Sequence, residues 1–152
     1  MRYSYEYDGA GRVTRQILPD ASEINFGYDA NGNMTSITPP GKPTHSFIYT
    51  KVNQEETYNP PALDSEIFQT WYEYTLDRQL SKVTRPDGNA VQFDYDSRGK
   101  LDLITVPDDQ KIDYEYGAET GHLTTITAPG GETLGIQLRW LVTIERHVGR
   151  HD

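Results

Sequence analysis

The stretch Tyr5-Glu6-Tyr7-Asp8-Gly9-Ala10-Gly11-Arg12 decides how the rest of the chain is read. Two rings lie two residues apart, a carboxylate follows the second, and a glycine stands four positions after that tyrosine. In an extended strand this alternation puts Tyr5 and Tyr7 on one face and Ser4 and Glu6 on the other. Asp followed by Gly is turn chemistry, because Asp accepts local backbone N–H bonds and Gly tolerates positive φ.

Working outward, the ring pair recurs at Phe26/Tyr28, Phe47/Tyr49, Tyr72/Tyr74, Phe93/Tyr95 and Tyr114/Tyr116, with intervals of 21, 21, 25, 21 and 21 residues between successive tyrosines. The carboxylate recurs at Asp29 and Asp96, and the glycine at Gly32 and Gly99. After each turn comes a stretch such as Leu80-Ser81-Lys82-Val83-Thr84 or Leu123-Thr124-Thr125-Ile126-Thr127, and then a proline turn such as Pro19-Asp20, Pro86-Asp87-Gly88 or Pro129-Gly130-Gly131. A fixed period of this length marks a repeat architecture. The unit reads as a β-hairpin: an aromatic strand, a tight Asp-x-x-Gly turn, a second strand rich in β-branched residues, and a reversing proline turn. Six units predict an all-β array of about a dozen short strands in one twisted, curved antiparallel sheet, with one apolar face and one wet face. The twelve paired rings are expected to form a buried face.

Composition narrows the function classes. With 152 residues the chain is one domain or a piece of one. Its formal charge of −9 disfavours nucleic-acid binding, because phosphate backbones are repelled. No cysteine means no disulfide framework, thiolate metal site or cysteine nucleophile. No apolar run approaches a membrane span, and no signal peptide opens this chain, so any export signal lies outside it.

Two segments depart from the pattern. After Tyr49 the Asp and Gly are replaced, and a longer loop is expected around Glu55 to Asp64, interrupting the stack without ending it. The array is assigned to residues 1–135 and an atypical tail to residues 136–152. The tail holds three arginines against two acids, a net of +1 within a chain of −9, so residues 1–135 carry −10. Ile136 to Trp140 can be encoded by ATT CAG CTA CGA TGG C, which read one base later spells Phe-Ser-Tyr-Asp-Gly. The tail is therefore either a frameshifted seventh unit, whose tyrosine would overlap Leu138, or a genuine terminal cap.

The motif Tyr-Asp-x-x-Gly-Arg, complete at Tyr7 to Arg12 and nearly so at Tyr28 to Asn33 and Tyr95 to Lys100, resembles the YD repeat of the Rhs, insecticidal toxin complex and teneurin proteins. That resemblance covers about residues 1–135 and implies a strip of a long sheet that spirals into a hollow shell. In bacterial members such shells enclose a C-terminal toxin, and animal members are cell-surface adhesion proteins. It implies a secreted or cell-surface location as part of a larger protein. The implied partners are further YD repeats of the same or another chain and an enclosed toxin domain. No Asp-Pro dipeptide occurs here, so the self-cleavage of bacterial members is not carried over.

Carboxylates beside phenols invite acid–base catalysis. A catalytic pair needs one special place, whereas Tyr7, Asp8, Gly11, Tyr28, Asp29, Gly32, Tyr49, Tyr74, Tyr95, Asp96, Gly99 and Tyr116 recur as a structural motif. Asp29 to Asn33 starts like a calcium loop but has Met34 and Pro40 where that loop needs glycine and glutamate. His45, His122, His147 and His151 form no ligand cluster by spacing. Asn33-Met34-Thr35 is a formal glycosylation sequon. No catalytic, cofactor or metal residue is assigned, and the chain is not read as an enzyme. The leading function is structural. The alternative is a carbohydrate- or protein-binding module using exposed aromatics near the irregular third unit, namely Tyr58, Phe68, Trp71 and Tyr72. A strip with open edges is also expected to form edge-to-edge dimers.

Overall fold

The computed structural model describes residues 2–62 and 68–136. The aromatic alternation and the turns resolve into strands β1 (Ser4–Tyr7), β2 (Val13–Ile17), β3 (Glu23–Tyr28), β4 (Met34–Thr38), β5 (His45–Tyr49), β6 (Glu55–Asn59), β7 (Thr70–Tyr74), β8 (Leu80–Thr84), β9 (Ala90–Tyr95), β10 (Leu101–Val106), β11 (Gln110–Tyr116), β12 (Leu123–Thr127) and β13 (Thr133–Gly135). They pair in chain order as one 13-stranded antiparallel meander. Each strand is hydrogen-bonded to its neighbour in sequence, an antiparallel arrangement that short turns can close.

Where the Asp-x-x-Gly turn is complete, in the first, second and fifth units, it closes in the same way, and the sixth unit closes a turn one residue longer from Gly117 to His122. In the first, the Asp8 N–H donates to the Arg12 carbonyl (2.9 Å) and the Gly11 N–H to the Asp8 carbonyl (3.0 Å), with Gly11 at φ +81°. Between units the proline turns close similarly, as where the Arg85 N–H donates to the Asn89 carbonyl at 2.8 Å and Asp87 Oδ1 accepts the Asn89 N–H at 2.9 Å.

The third unit corrects the sequence expectation. Glu55–Asn59 is a strand, not loop, and pairs with both β5 and β7. Thr50 Oγ1 stands in for the missing carboxylate, accepting from the N–H groups of Val52 (3.3 Å) and Gln54 (3.2 Å). Asn53 takes the glycine position at φ +63°. Asn is among the residues that visit this region, so the turn survives both replacements. The fourth unit does the same with Thr75 and Arg78, the latter at φ +65°. The insertion falls instead between Asn59 and Thr70; the part of the expected loop at residues 63 and 64 lies outside the described residues.

A feature with no signature in the motif is a β-bulge in every Asp-x-x-Gly-type hairpin. Glu6 pairs with Arg15 but Tyr7 pairs with Val13, so Val13 and Thr14 form the bulge, with Val13 opposite Tyr7 and Thr14 unpaired. The same shift recurs at Tyr28↔Met34, Tyr49↔Glu55, Tyr74↔Leu80, Tyr95↔Leu101 and Tyr116↔Leu123. A bulge bends one strand and increases local twist.

Cross-strand pairing separates the faces. One carries Tyr72↔Val83↔Val91, Phe93↔Ile104↔Ile112 and Tyr114↔Ile126↔Leu134. The other carries Glu73↔Lys82↔Gln92 and the ion pairs Arg15–Glu6 (3.3 Å), Arg15–Glu23 (3.0 Å) and Lys82–Glu73 (3.1 Å). The expectation of a buried aromatic face is not met. Among the described residues no hydrophobic side chain is fully buried, and Tyr3, Tyr5 and Tyr7 are exposed. A single sheet gives its rings neighbours along the face but no second layer above it.

The ladder continues past the assigned array boundary, because the Ile136 N–H donates to the Thr124 carbonyl at 2.7 Å. Leu134 opposite Ile126 matches the place of Ile112 opposite Ile104, so Ile136 stands in the register of the first ring of a pair, Tyr114. Residues 137–152, which hold the rest of the tail, lie outside the described residues.

Candidate functional site

The recurring tyrosine is the element from which the site must be built. Its hydroxyl reaches back one repeat and donates to the carbonyl of the bulge residue there. The bonds are Tyr28 to Val13 (2.9 Å), Tyr49 to Met34 (2.9 Å), Tyr74 to Glu55 (2.7 Å), Tyr95 to Leu80 (2.8 Å) and Tyr116 to Leu101 (2.8 Å). The carbonyl beside each bulge is thus satisfied by the next tyrosine, as a partly buried acceptor demands.

A second set of contacts reaches forward along the turn edge. Arg12 Nη1 donates to the Asp29 carbonyl (2.9 Å), Asn33 Nδ2 to Asn53 Oδ1 (2.9 Å), Gln54 Nε2 to the Arg78 carbonyl (2.8 Å) and Gln79 Nε2 to the Gly99 carbonyl (2.7 Å). Lys100 Nζ does the same to the Gly121 carbonyl. Each repeat is thus tied to the next at two points beyond the strand ladder. The motif signalled the turn but not this position, whose side chains vary from Arg to Gln.

The repeated carboxylates are occupied with backbone. Asp8 Oδ1 accepts the N–H groups of Ala10 (2.9 Å) and Arg12 (3.0 Å), Asp29 Oδ1 those of Asn31 (2.9 Å) and Asn33 (2.8 Å), and Asp96 Oδ1 those of Arg98 (2.8 Å) and Lys100 (2.9 Å). These donors hold the carboxyls below the usual range, led by the Arg12 N–H for Asp8, the Asn33 side-chain amide for Asp29 and the Lys100 N–H for Asp96. A carboxylate so held is a poor proton carrier near neutrality. Partial burial pushes the phenols of Tyr49, Tyr74 and Tyr116 up from 10.0.

The four aromatics singled out near the irregular unit do not form one cluster. Tyr58 lies on the aromatic face, stacked on Phe47 at 5.4 Å between centroids and on His45 at 5.9 Å, with its hydroxyl 2.6 Å from His45 Nδ1. Tyr72, opposite Val83, shares that face. Trp71 pairs with Thr57 and Thr84 and so faces the polar side, where it is 47% exposed. It borders an open hollow of about 360 Å³ with Gln69, Thr84, Arg85, Pro86 and Gly88. Phe68 precedes β7 and is half-buried. Strand alternation separates Trp71 from Tyr72, so adjacency in sequence put them on opposite faces.

Among the described residues no group of three or more His, Asp or Glu side chains is placed to hold a metal ion. No helix among them is long and apolar enough to cross a membrane.

Comparison with known proteins agrees with this architecture. The crystal structure of TcdB2-TccC3 superposes with a TM-score of 0.65 at 18% identity, covering 83% of this chain and 7% of that one. The same complex without its hypervariable C-terminal region gives 0.63 at 18% identity, with the same coverage. A phosphoribosylaminoimidazole-succinocarboxamide synthase of Mannheimia succiniciproducens is 24% identical over 102 residues, 66% of this chain and 36% of that enzyme. The chain spans about a third of that relative's length, and this similarity establishes no activity. The family model for the teneurin YD-shell matches residues 1–142, nearly the whole chain. The chain belongs to the teneurin YD-shell family.

Proposed function

We propose that this chain is a wall segment of a YD-repeat shell, doing no chemistry of its own and serving to enclose a toxin domain or to present a surface for cell contact. The observation that carries this reading is the tyrosine-to-bulge bond repeated at every junction from Tyr28 to Tyr116. The recurrent tyrosine hydroxyls hold repeat to repeat and the recurrent carboxylates hold their own turns, which suits a wall. The superposed TcdB2-TccC3 chain is far longer, since this chain covers 7% of it, so further repeats would supply the rest of an enclosure. A secreted or cell-surface setting within a larger protein follows from the same reading. The register of Ile136 also suits a seventh unit altered by a frameshift.

Reading the gene on both sides of this chain in all three frames tests the proposal. Further YD units upstream, or downstream one base over from the Gly135 codon, support a wall segment. Flanks without the pattern in any frame overturn it.

A second reading is favoured by one observation, the exposed Trp71 beside Gln69, Thr84 and Arg85. An indole flanked by hydrogen-bonding groups suits a sugar ring, or an anchor residue of a protein partner. A glycan array settles it for sugars: specific binding lost in Trp71→Ala supports this reading, and silence across the array counts against it.

A further inference from the structure

The repeat contains its own control. A residue that only holds the sheet together should look like its counterparts in the other units, and a cluster of departures on one face marks something else. The bulge residue opposite each tyrosine is Val13, Met34, Leu80, Leu101 and Leu123, but Glu55 in the third unit. The same unit places Tyr58 where Ile37, Val83, Ile104 and Ile126 stand in four others and Gln16 in the first, and His45 where Ile24, Val91 and Ile112 stand in others and Thr70 in the fourth. Other units depart at single positions, but Glu55, Tyr58 and His45 gather three departures on the aromatic face of one hairpin.

Glu55 sits between two rungs of the tyrosine ladder. It pairs with Tyr49 across the hairpin, and its carbonyl accepts the Tyr74 hydroxyl at 2.7 Å. Burial first, and the Glu55 charge after it, raise the phenols of Tyr49, Tyr72 and Tyr74. Partial burial pushes the Glu55 carboxyl up as well. Among the described residues no lysine, arginine or histidine makes an ion pair with Glu55.

At two other rungs the ladder supplies its own cation, while Gln79 holds the equivalent place before Tyr95. The Arg12 guanidinium lies 4.7 Å from the Tyr28 ring centroid, and Lys100 Nζ lies 4.8 Å from that of Tyr116. The equivalent positions before Tyr49 and Tyr74 are the uncharged Asn33 and Gln54. The two tyrosines flanking Glu55 therefore lack the cation that Tyr28 and Tyr116 have, and a carboxylate is put between them instead.

From this arrangement we infer that Glu55, with the rings of Tyr49, Tyr72 and Tyr74, is a docking point for one lysine or arginine side chain of a partner polypeptide, entering from the aromatic face. A desolvated cation gains from ring faces and from a carboxylate together. A divalent metal would need several more oxygen ligands than one carboxylate offers. The charge of −9 adds a favourable field for a basic segment. The site stands independently of whether the strip builds a shell.

The test uses the peptide Ac-Gly-Arg-Gly-Arg-Gly-amide, its uncharged citrulline counterpart, and the tyrosine ring resonances of the full chain, at about 0.15 M salt so that diffuse attraction is screened. The expected result is saturable movement of the Tyr49, Tyr72 and Tyr74 signals with the arginine peptide only. Affinity should drop at least about tenfold in both Glu55→Leu and Glu55→Gln and stay unchanged in Glu73→Gln on the opposite face. Glu55→Leu restores the residue type of the other repeats, so a folding defect is not expected to mask the result. No movement of those signals, equal response to the citrulline peptide, or undiminished binding in the Glu55 variants would overturn the inference.

Discussion

The hydroxyl of Tyr95 donates to the carbonyl of Leu80 across 2.8 Å, and Leu80 is itself the bulge residue held opposite Tyr74. One tyrosine frames the bulge and the next one caps it, so neighbouring repeats are interlocked by a bond that neither could make alone. Stability in such an array is close to a sum of nearest-neighbour terms.

Tyr95→Phe should therefore cost about 1 kcal/mol, the net worth of one hydrogen bond whose loss strands a partly buried acceptor. Tyr7→Phe should cost less, because Tyr7 is 60% exposed and no preceding repeat among the described residues receives its hydroxyl. Urea unfolding of both variants checks this; equal losses would mean that the ladder bond contributes little.

The turn position four residues after the tyrosine should respond with opposite signs. Arg78 is at φ +65°, where a β-carbon costs about 1–2 kcal/mol, so Arg78→Gly should raise the melting temperature. Gly99→Ala, at φ +76°, should lower it. The forward bond from Gln54 ends on the Arg78 main-chain carbonyl, so the first substitution leaves that bond in place.

Stability should fall at both ends of the pH scale. Asp8, Asp20, Asp29, Asp87 and Asp96 have folded values lowered from 3.8, so their contribution is complete above that value and is lost as pH falls through the lower folded ones. Tyr49, Tyr72, Tyr74 and Tyr116 are raised from 10.0, so the unfolded chain releases its protons first and stability declines as pH rises past that value. Urea midpoints measured across the pH range should form a plateau with a drop on each side. A flat acid limb would show that the turn carboxylates do not matter.

Glu55→Leu should stabilise the sheet by about 1 kcal/mol at neutral pH, as repeat-consensus substitutions commonly do. Its folded value is raised from 4.5, so the charged form opposes folding above that pH and the penalty is relieved as pH falls. The gain over the natural chain should accordingly shrink in acid. Thermal melts at neutral and acid pH check this, and an equal gain at both would remove ionisation as the cause.

The β1 end of the meander pairs only with β2, which leaves one row of backbone groups open. Light scattering across a concentration series should show mass rising with concentration, and Tyr5→Lys, which puts a charge on that edge strand, should reduce the rise. A monomer at every concentration would show that the edge is protected.

The hairpin array was legible in the sequence because strand alternation, turn residues and period are all local properties of the chain. Tyr-Asp-x-x-Gly announces its own reversal through one carboxylate and one left-handed residue. Where Thr50 and Asn53 replaced them, the letters changed but the hydrogen bonds did not, and the letters alone placed a loop over what is β6. The assignment of Trp71 and Tyr72 to one neighbourhood failed for a related reason: sequence adjacency is not surface adjacency in a pleated strand. Only the tertiary structure decided what the recurrent tyrosine does. For Tyr28 the partner is a main-chain carbonyl 15 residues back at Val13, beside a bulge that no residue type specifies. Pairing register and side-chain reach across neighbouring repeats set that bond, and both arise only when the strands lie side by side.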